Sequence, residues 1–135
     1  MQETYFMIKP EIVAAADQKV GAILAQVNAS GFRIRNLALR RLDRDLVGQF
    51  YAEHQGKPFF DSLVEYITSG PVICVHLERE NAVAALRELI GATNPANAAT
   101  GTVRALYGTS LGENAVHASA NPDDAARELA LIFGS

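Results

Sequence analysis

The residues best suited to chemistry in this 135-residue chain are His117 and Glu128. His117 lies between a short apolar segment and a strong helix start at residues 121–124. Glu128 follows the apolar Ala125 by three positions, so helical spacing places its carboxylate on or beside the inward face. A buried carboxylate needs a partner, and a carboxylate that orients an imidazole is a recurring device in nucleophilic sites. A histidine that only caps the helix or fills the core is the alternative.

A second group of residues is suited to binding an anion. Arg87 lies near the end of a predicted helix, beside the inward Leu86, while Thr93 and Arg104 belong to the irregular segment 92–113. Two guanidinium groups and hydroxyls that converge on one point would suit a phosphate group above all. Taken alone, two solvated arginines are the simpler interpretation.

Three further residues are candidates for contacts to a ligand. Lys9 ends the first predicted strand, from which its ammonium could reach phosphate or ribose oxygens. Phe59 and Phe60 cannot both face the core from one helix start, so an exposed Phe59 is a candidate stacking platform for a base. Tyr51 is a possible site hydroxyl, and His54 is interpreted as a surface residue.

Composition and charge exclude several classes of protein. The net charge is −3, which argues against a generic nucleic-acid surface, and no apolar stretch approaches the length of a membrane span. The histidines at 54, 76 and 117 lack metal-ligand spacing, so no protein-held metal site is expected, and His76 is interpreted as structural. A single cysteine, Cys74, favours a reducing compartment, and we expect a cytoplasmic protein.

Hydrophobic periodicity predicts the order β-α-β-(α-α)-β-α-long loop-β-α in one domain over residues 1–135. We expect a strand at 4–8, a helix opened by Asp17, a strand kinked near Asn36, a central strand at 71–77 and a last strand at 115–118. This order predicts an α+β fold of the ferredoxin-like βαββαβ type. Its four-stranded antiparallel sheet would carry added helices and a long loop before the last strand.

With these residues assembled, the chain resembles the nucleoside diphosphate kinase family from about Tyr5 to Phe133. The most specific match is Asn-Ala-Val-His-Ala-Ser at residues 114–119, which is similar to the family signature Asn-x-x-His-Gly-Ser. Further ordered matches occur at residues 7–10, 51–54, 56–60, 68–71, 91–95 and 101–104.

The resemblance implies the chemistry and the residues that carry it out. His117 would accept the γ-phosphate of a nucleoside triphosphate, mainly ATP, and pass it to a nucleoside diphosphate in a ping-pong cycle. Glu128 would orient His117, and Ser119 would support that pair. Tyr51 would lie beside the transferring phosphate, and Lys9 would contact the ribose hydroxyl and phosphate region.

The resemblance also implies how the nucleotide is held. Arg87, Thr93 and Arg104 would bind the phosphates, Asn114 would act with Lys9, and Phe59 would stack on the base. Mg²⁺ would arrive with the nucleotide rather than in a protein site. The family further implies self-association as a dimer-based homo-oligomer, a tetramer or hexamer, with no specific nucleic-acid partner.

The chain departs from the family pattern at several positions. Ala118 replaces the signature glycine, Ala120 replaces the usual aspartate after the serine, and Leu106 falls in the usual Arg-Gly-Asp-Phe segment. If that glycine needs a positive φ, Ala118 should either carry some strain or shift the backbone. These changes leave open a weakly catalytic relative that acts as a binding or regulatory protein; a ferredoxin-like nucleic-acid-binding module is disfavoured by the acidic balance.

Overall fold

A computed structural model describes residues 1–134, and a four-stranded antiparallel sheet forms the centre of this part of the chain. The strands are β1 (Gln2–Ile8), β2 (Arg33–Arg40), β3 (Val72–Arg79) and β4 (Val116–Ala118), in the spatial order β2-β3-β1-β4. All three pairings are antiparallel. This order confirms the predicted α+β fold of the ferredoxin-like type.

The helices pack on both faces of this sheet. They are α1 (Pro10–Ala14), α2 (Val20–Ala29), α3 (Arg44–Phe50), α4 (Phe60–Ile67), α5 (Ala82–Ile90), α6 (Val103–Tyr107) and α7 (Pro122–Phe133). Short 3-10 turns occur at Ala52–His54 and Pro95–Asn97. No helix within residues 1–134 is long and apolar enough to cross a membrane.

Alternation along the strands divides the core into two layers. Phe6 and Ile8 of β1 pack with α2 and α5, whereas Tyr5 and Met7 pack with α3, α4 and α7. In β4, Val116 and Ala118 belong to the first layer. His117, which pairs with Met7, therefore faces the second layer, where α7 lies.

Several local boundaries differ from the sequence expectations. The helix expected to open at Asp17 begins at Val20, because Pro10 starts a separate short helix and Gln18 adopts a positive φ of 52°. The first strand begins at Gln2, since its pairing with β3 extends to Arg79. The segment 92–113 is not wholly irregular, because the Thr102 hydroxyl caps α6. The kink expected near Asn36 is confirmed as a register shift between Ile34 and Asn36.

Candidate active site

The centre of the site is an imidazole–carboxylate pair formed between β4 and α7. His117 Nε2 lies 2.9 Å from Glu128 Oε1, and the Ser119 hydroxyl donates to the same oxygen over 2.7 Å. Glu128 is only 4% exposed, so these contacts compensate for its desolvation. The carboxylate can only accept, so Nε2 must carry a hydrogen and the neutral ring keeps its lone pair on Nδ1.

Aromatic rings fix the plane of the His117 imidazole. Phe50 and Tyr51 meet it edge-on, with centroids 5.0 and 6.3 Å away, and Tyr5 lies at 5.9 Å. Burial, together with the charge of Glu128, raises the pKa of Tyr51 well above its usual value. Tyr51 therefore keeps its phenolic proton and can only act as a neutral hydrogen-bonding group beside the imidazole.

The backbone before His117 is strained, but at Ala115 rather than at Ala118. Ala115 has a φ of 77°, and the Val116 N–H donates to the Asn114 carbonyl over 3.0 Å, which closes a tight three-residue turn. Such a conformation costs about 1–3 kcal/mol for a residue with a side chain. Ala118 is not among the positive-φ residues of 1–134 and its side chain is buried in the core, so the condition under which it would be strained is not met.

Two arginines hold the backbone carbonyls on either side of His117. Arg104 donates to Val116 O over 2.9 Å, and Arg87 donates to Ala118 O over 3.2 Å. Burial and the charge of Arg87 lower the pKa of Arg104 to about 10. Because these two cations repel each other, an anion bound near them would stabilise the site.

Lys9 and Asn114 connect this centre to the neighbouring loop. Lys9 Nζ donates to Asn114 Oδ1 over 2.8 Å, and Asn114 Nδ2 donates to Thr93 O over 3.0 Å. Lys9 is 8% exposed, and burial followed by repulsion from Arg104 lowers its pKa to about 8, although Glu11 partly offsets this.

A cleft of about 800 Å³ adjoins this network. It is lined by Lys9, His54, Phe59, Ser62, Leu63, Tyr66, Thr93, Leu111, Gly112 and Glu113. The Phe59 ring is 49% exposed over this cleft, as the sequence predicts for a stacking platform. The volume is that of a pocket for a small organic ligand.

Part of the cleft wall consists of residues that the sequence did not predict as site residues. His54, interpreted as a surface residue, is half-buried and packs edge-on against Phe59 at 5.1 Å. Tyr66 and Leu111 were also missed. Helical spacing could have indicated Tyr66, because Leu63 and Tyr66 lie on the same face of α4 as its N-cap residue Phe59. The sequence gives no comparable signal for Leu111, which is a lone leucine in a polar loop.

The carboxylates near the site do not form a metal cage. Within residues 1–134, no group of three or more His, Cys, Asp or Glu side chains could hold a metal ion. Glu128 is already engaged by His117 and Ser119. The site's charge is instead supplied by cations, which suits a ligand that brings its own negative groups.

An oriented imidazole, paired arginines and an aromatic-walled cleft on this fold define a nucleotide phosphotransferase. The family model described as "Nucleoside diphosphate kinase" matches residues 2–135. The chain belongs to the nucleoside diphosphate kinase family. Its activity is that of the family, transfer of the γ-phosphate of a nucleoside triphosphate to nucleoside diphosphates through a phosphohistidine.

Relatives and solved structures resemble the chain over nearly its whole length. Nucleoside diphosphate kinases of Pelotomaculum thermopropionicum and Deinococcus radiodurans are 47% and 48% identical, covering 100% and 99% of this chain and 89% and 96% of theirs. The crystal structure from Encephalitozoon cuniculi has a TM-score of 0.95 at 31% identity, covering 100% and 90% of the two chains. That of the Halobacterium salinarum enzyme in complex with CDP has a TM-score of 0.93 at 39% identity, covering 99% and 88%.

The family resemblance implies that Lys9 contacts the nucleotide, and with the lowered pKa of Lys9 this role predicts a pH dependence of nucleotide binding. As pH rises through about 8, the free protein loses the Lys9 charge that its usual value of 10.5 would have retained. Binding then requires proton uptake, so we expect the Kd for ADP to rise about tenfold by pH 9.5. Lys9→Met should bind weakly at pH 7 and show no such rise. A wild-type Kd that stays flat to pH 9.5 in calorimetric titrations would contradict this assignment.

Proposed function

We propose that His117 is the residue that carries the phosphoryl group. The observation that supports this most directly is the bond between its Nε2 and Glu128, which leaves the lone pair on Nδ1. Two arginines donate to the backbone carbonyls of the residues on either side of His117. In the first half-reaction Nδ1 attacks the γ-phosphorus of ATP, the N–P bond forms, and the bond from phosphorus to the β,γ-bridging oxygen breaks. ADP leaves with those electrons, and a second nucleoside diphosphate takes the group by the reverse path.

The remaining polar residues would neutralise and position the nucleotide. Arg87, Arg104 and Thr93 would hold phosphate oxygens, while Lys9 and Asn114 would contact the ribose hydroxyl and the phosphate region. Phosphoryl transfer depends mainly on position and charge, and these side chains supply both. Tyr51 would stabilise the group in transit as a neutral donor, a role consistent with its raised pKa.

Mg²⁺ would enter on the phosphates of the nucleotide. The lack of an acidic cluster within residues 1–134 fits this arrangement better than a protein-held ion. When bound, the ion would neutralise part of the phosphate charge. Arg87, Arg104 and Lys9 would neutralise the remaining charge of the phosphates. We also propose a cytoplasmic location, supported by the lone buried Cys74.

A phosphate-chase experiment tests the assignment of His117. The wild-type protein, incubated with γ-labelled ATP and Mg²⁺ and freed of nucleotide, should carry an acid-labile label that moves to added GDP. His117→Ala should carry none, because the accepting nitrogen is gone. His76→Gln is the matched control, since His76 pairs with Glu3 on another part of the sheet, and it should label normally. Label on His117→Ala would refute the assignment.

Stacking on Phe59 predicts weak discrimination between nucleobases. Phe59→Ala should raise the Kd of ADP, GDP, CDP and dTDP by similar factors, because stacking contributes about 1–3 kcal/mol for any base. Phe59→Tyr, which keeps the ring, should bind nearly as the wild type does. A loss confined to one nucleotide in fluorescence titrations would instead indicate recognition of a base edge.

We propose that two copies pair through the face formed by α2 and β2. Strand β2 is at the sheet edge and exposes Leu37 and Leu39 by 47% and 64%. The outward side of α2 is apolar as well, with Gly21 and Ala25 exposed. An unpaired edge strand can add antiparallel to its own copy across a two-fold axis, which would bury both leucines.

Light scattering tests this surface. The wild type should have a mass of at least two chains of 14.5 kDa. Leu37→Glu combined with Leu39→Glu should reduce it to the monomer, because burying these charges at the interface would be costly. Leu106→Glu alters an exposed leucine on α6 and should leave at least a dimer. A monomeric wild type, or a double variant that stays associated, would exclude this interface.

A further inference from the structure

The carboxylate of Glu11 connects three parts of the fold, which are α1, α4 and the turn that precedes β4. Glu11 lies in the first turn of α1. One of its oxygens, Oε1, accepts a short hydrogen bond from the Tyr66 hydroxyl on α4. The other, Oε2, accepts from the Ala115 backbone N–H over 3.2 Å. Glu11 therefore ties α1 and α4 to the turn from which β4 begins.

Both backbone groups of the strained residue are held by the same short segment. The Ala115 N–H donates to Glu11, and the Ala115 carbonyl accepts from the Lys9 N–H over 2.9 Å. An alanine at a φ of 77° relaxes toward extended backbone unless its surroundings fix it. Lys9 and Glu11 supply that constraint from the two ends of one turn.

We propose that Glu11 is a positioning residue: its carboxylate holds Ala115 in the left-handed conformation and thereby sets the position of the His117 ring. His117 follows Ala115 by two residues, so rotation at Ala115 moves the start of β4 and the imidazole with it. The inference rests on the proposed role of His117 as phosphate acceptor. Tyr66 orients the carboxylate, and its hydroxyl is needed for the same reason.

Charge and hydrogen bonding make separable contributions at Glu11. The carboxylate is also a nearby negative charge for Lys9, whose pKa it raises. Glu11→Gln removes the charge but keeps an oxygen that can accept from Ala115 and an amide that can donate to Tyr66. The glutamine variant should therefore keep the rate of phosphoryl transfer and change only nucleotide affinity, whereas Glu11→Ala should lose the rate.

Rapid-quench labelling by saturating γ-labelled ATP and Mg²⁺ at pH 7 measures this rate directly. We expect Glu11→Ala to label His117 roughly 10- to 100-fold more slowly, because a displacement near 1 Å is enough for such a loss. Glu11→Gln should stay within about threefold of the wild type, a rescue that a defect of folding alone would not show. Glu65→Ala removes an exposed carboxylate from α4 and is the matched control.

A double-variant cycle tests whether Glu11 acts through Ala115. Glycine adopts a positive φ without penalty, so in an Ala115→Gly background the loss caused by Glu11→Ala should shrink. An equal loss in both backgrounds would overturn the proposal. If Glu11→Ala does not fold, as judged by circular dichroism, the cycle is run with Tyr66→Phe, which should slow labelling in the same direction.

The outcomes separate this inference from the assignment of His117. If Glu11→Ala labels at the wild-type rate, the role of Glu11 is overturned but the assignment of His117 as phosphate acceptor still stands. The same holds for Tyr66→Phe where that variant is used instead. Label that persists on His117→Ala refutes the acceptor assignment instead.

Discussion

The bond between His117 and Glu128 is the interaction on which the rest of the site depends. It joins the last strand to the last helix, and it requires a carboxylate to be buried almost completely. That burial is tolerated because Ser119 donates to the same oxygen and is itself tied to β1 through the Tyr5 backbone. One carboxylate oxygen of Glu128 thus joins the sheet, the last helix and the imidazole. The rings of Phe50 and Tyr51, at the end of α3, also pack against the imidazole.

Backbone groups contribute as much to the site as side chains do. The carbonyls on both sides of His117 accept from Arg104 and Arg87, so the cations that we propose as phosphate ligands also hold the strand. The strained Ala115 lies just before that strand and is fixed from the segment Lys9 to Glu11. Rigidity at this point has a physical purpose, since in-line attack on phosphorus requires the nitrogen to be placed before the substrate arrives.

Patterns within single elements were predictable from the sequence, and relations between elements less so. Helical spacing on α7 placed Glu128 inward, and the two adjacent phenylalanines led to an exposed Phe59. His54 was misread because its burial comes from Phe59 and Tyr51, on turns that a one-dimensional pattern does not bring together. The strain at Ala115 was not predicted, because replacement of the signature glycine by Ala118 is visible in the sequence whereas the dihedral angle of Ala115 is not. The predicted helix start at Asp17 was wrong for a similar reason, since a short preceding helix moves the start to Val20.

The alternation of the three-residue strand β4 sets a rule for how this protein can evolve. Val116 and Ala118 face one core layer and His117 faces the other, so a single inserted or deleted residue between Asn114 and His117 would turn the imidazole into the wrong layer. A substitution leaves this alternation unchanged, as the alanine at position 118 illustrates by packing into the core. Among descendants of this chain, the length of this stretch is therefore constrained separately from the identity of its residues.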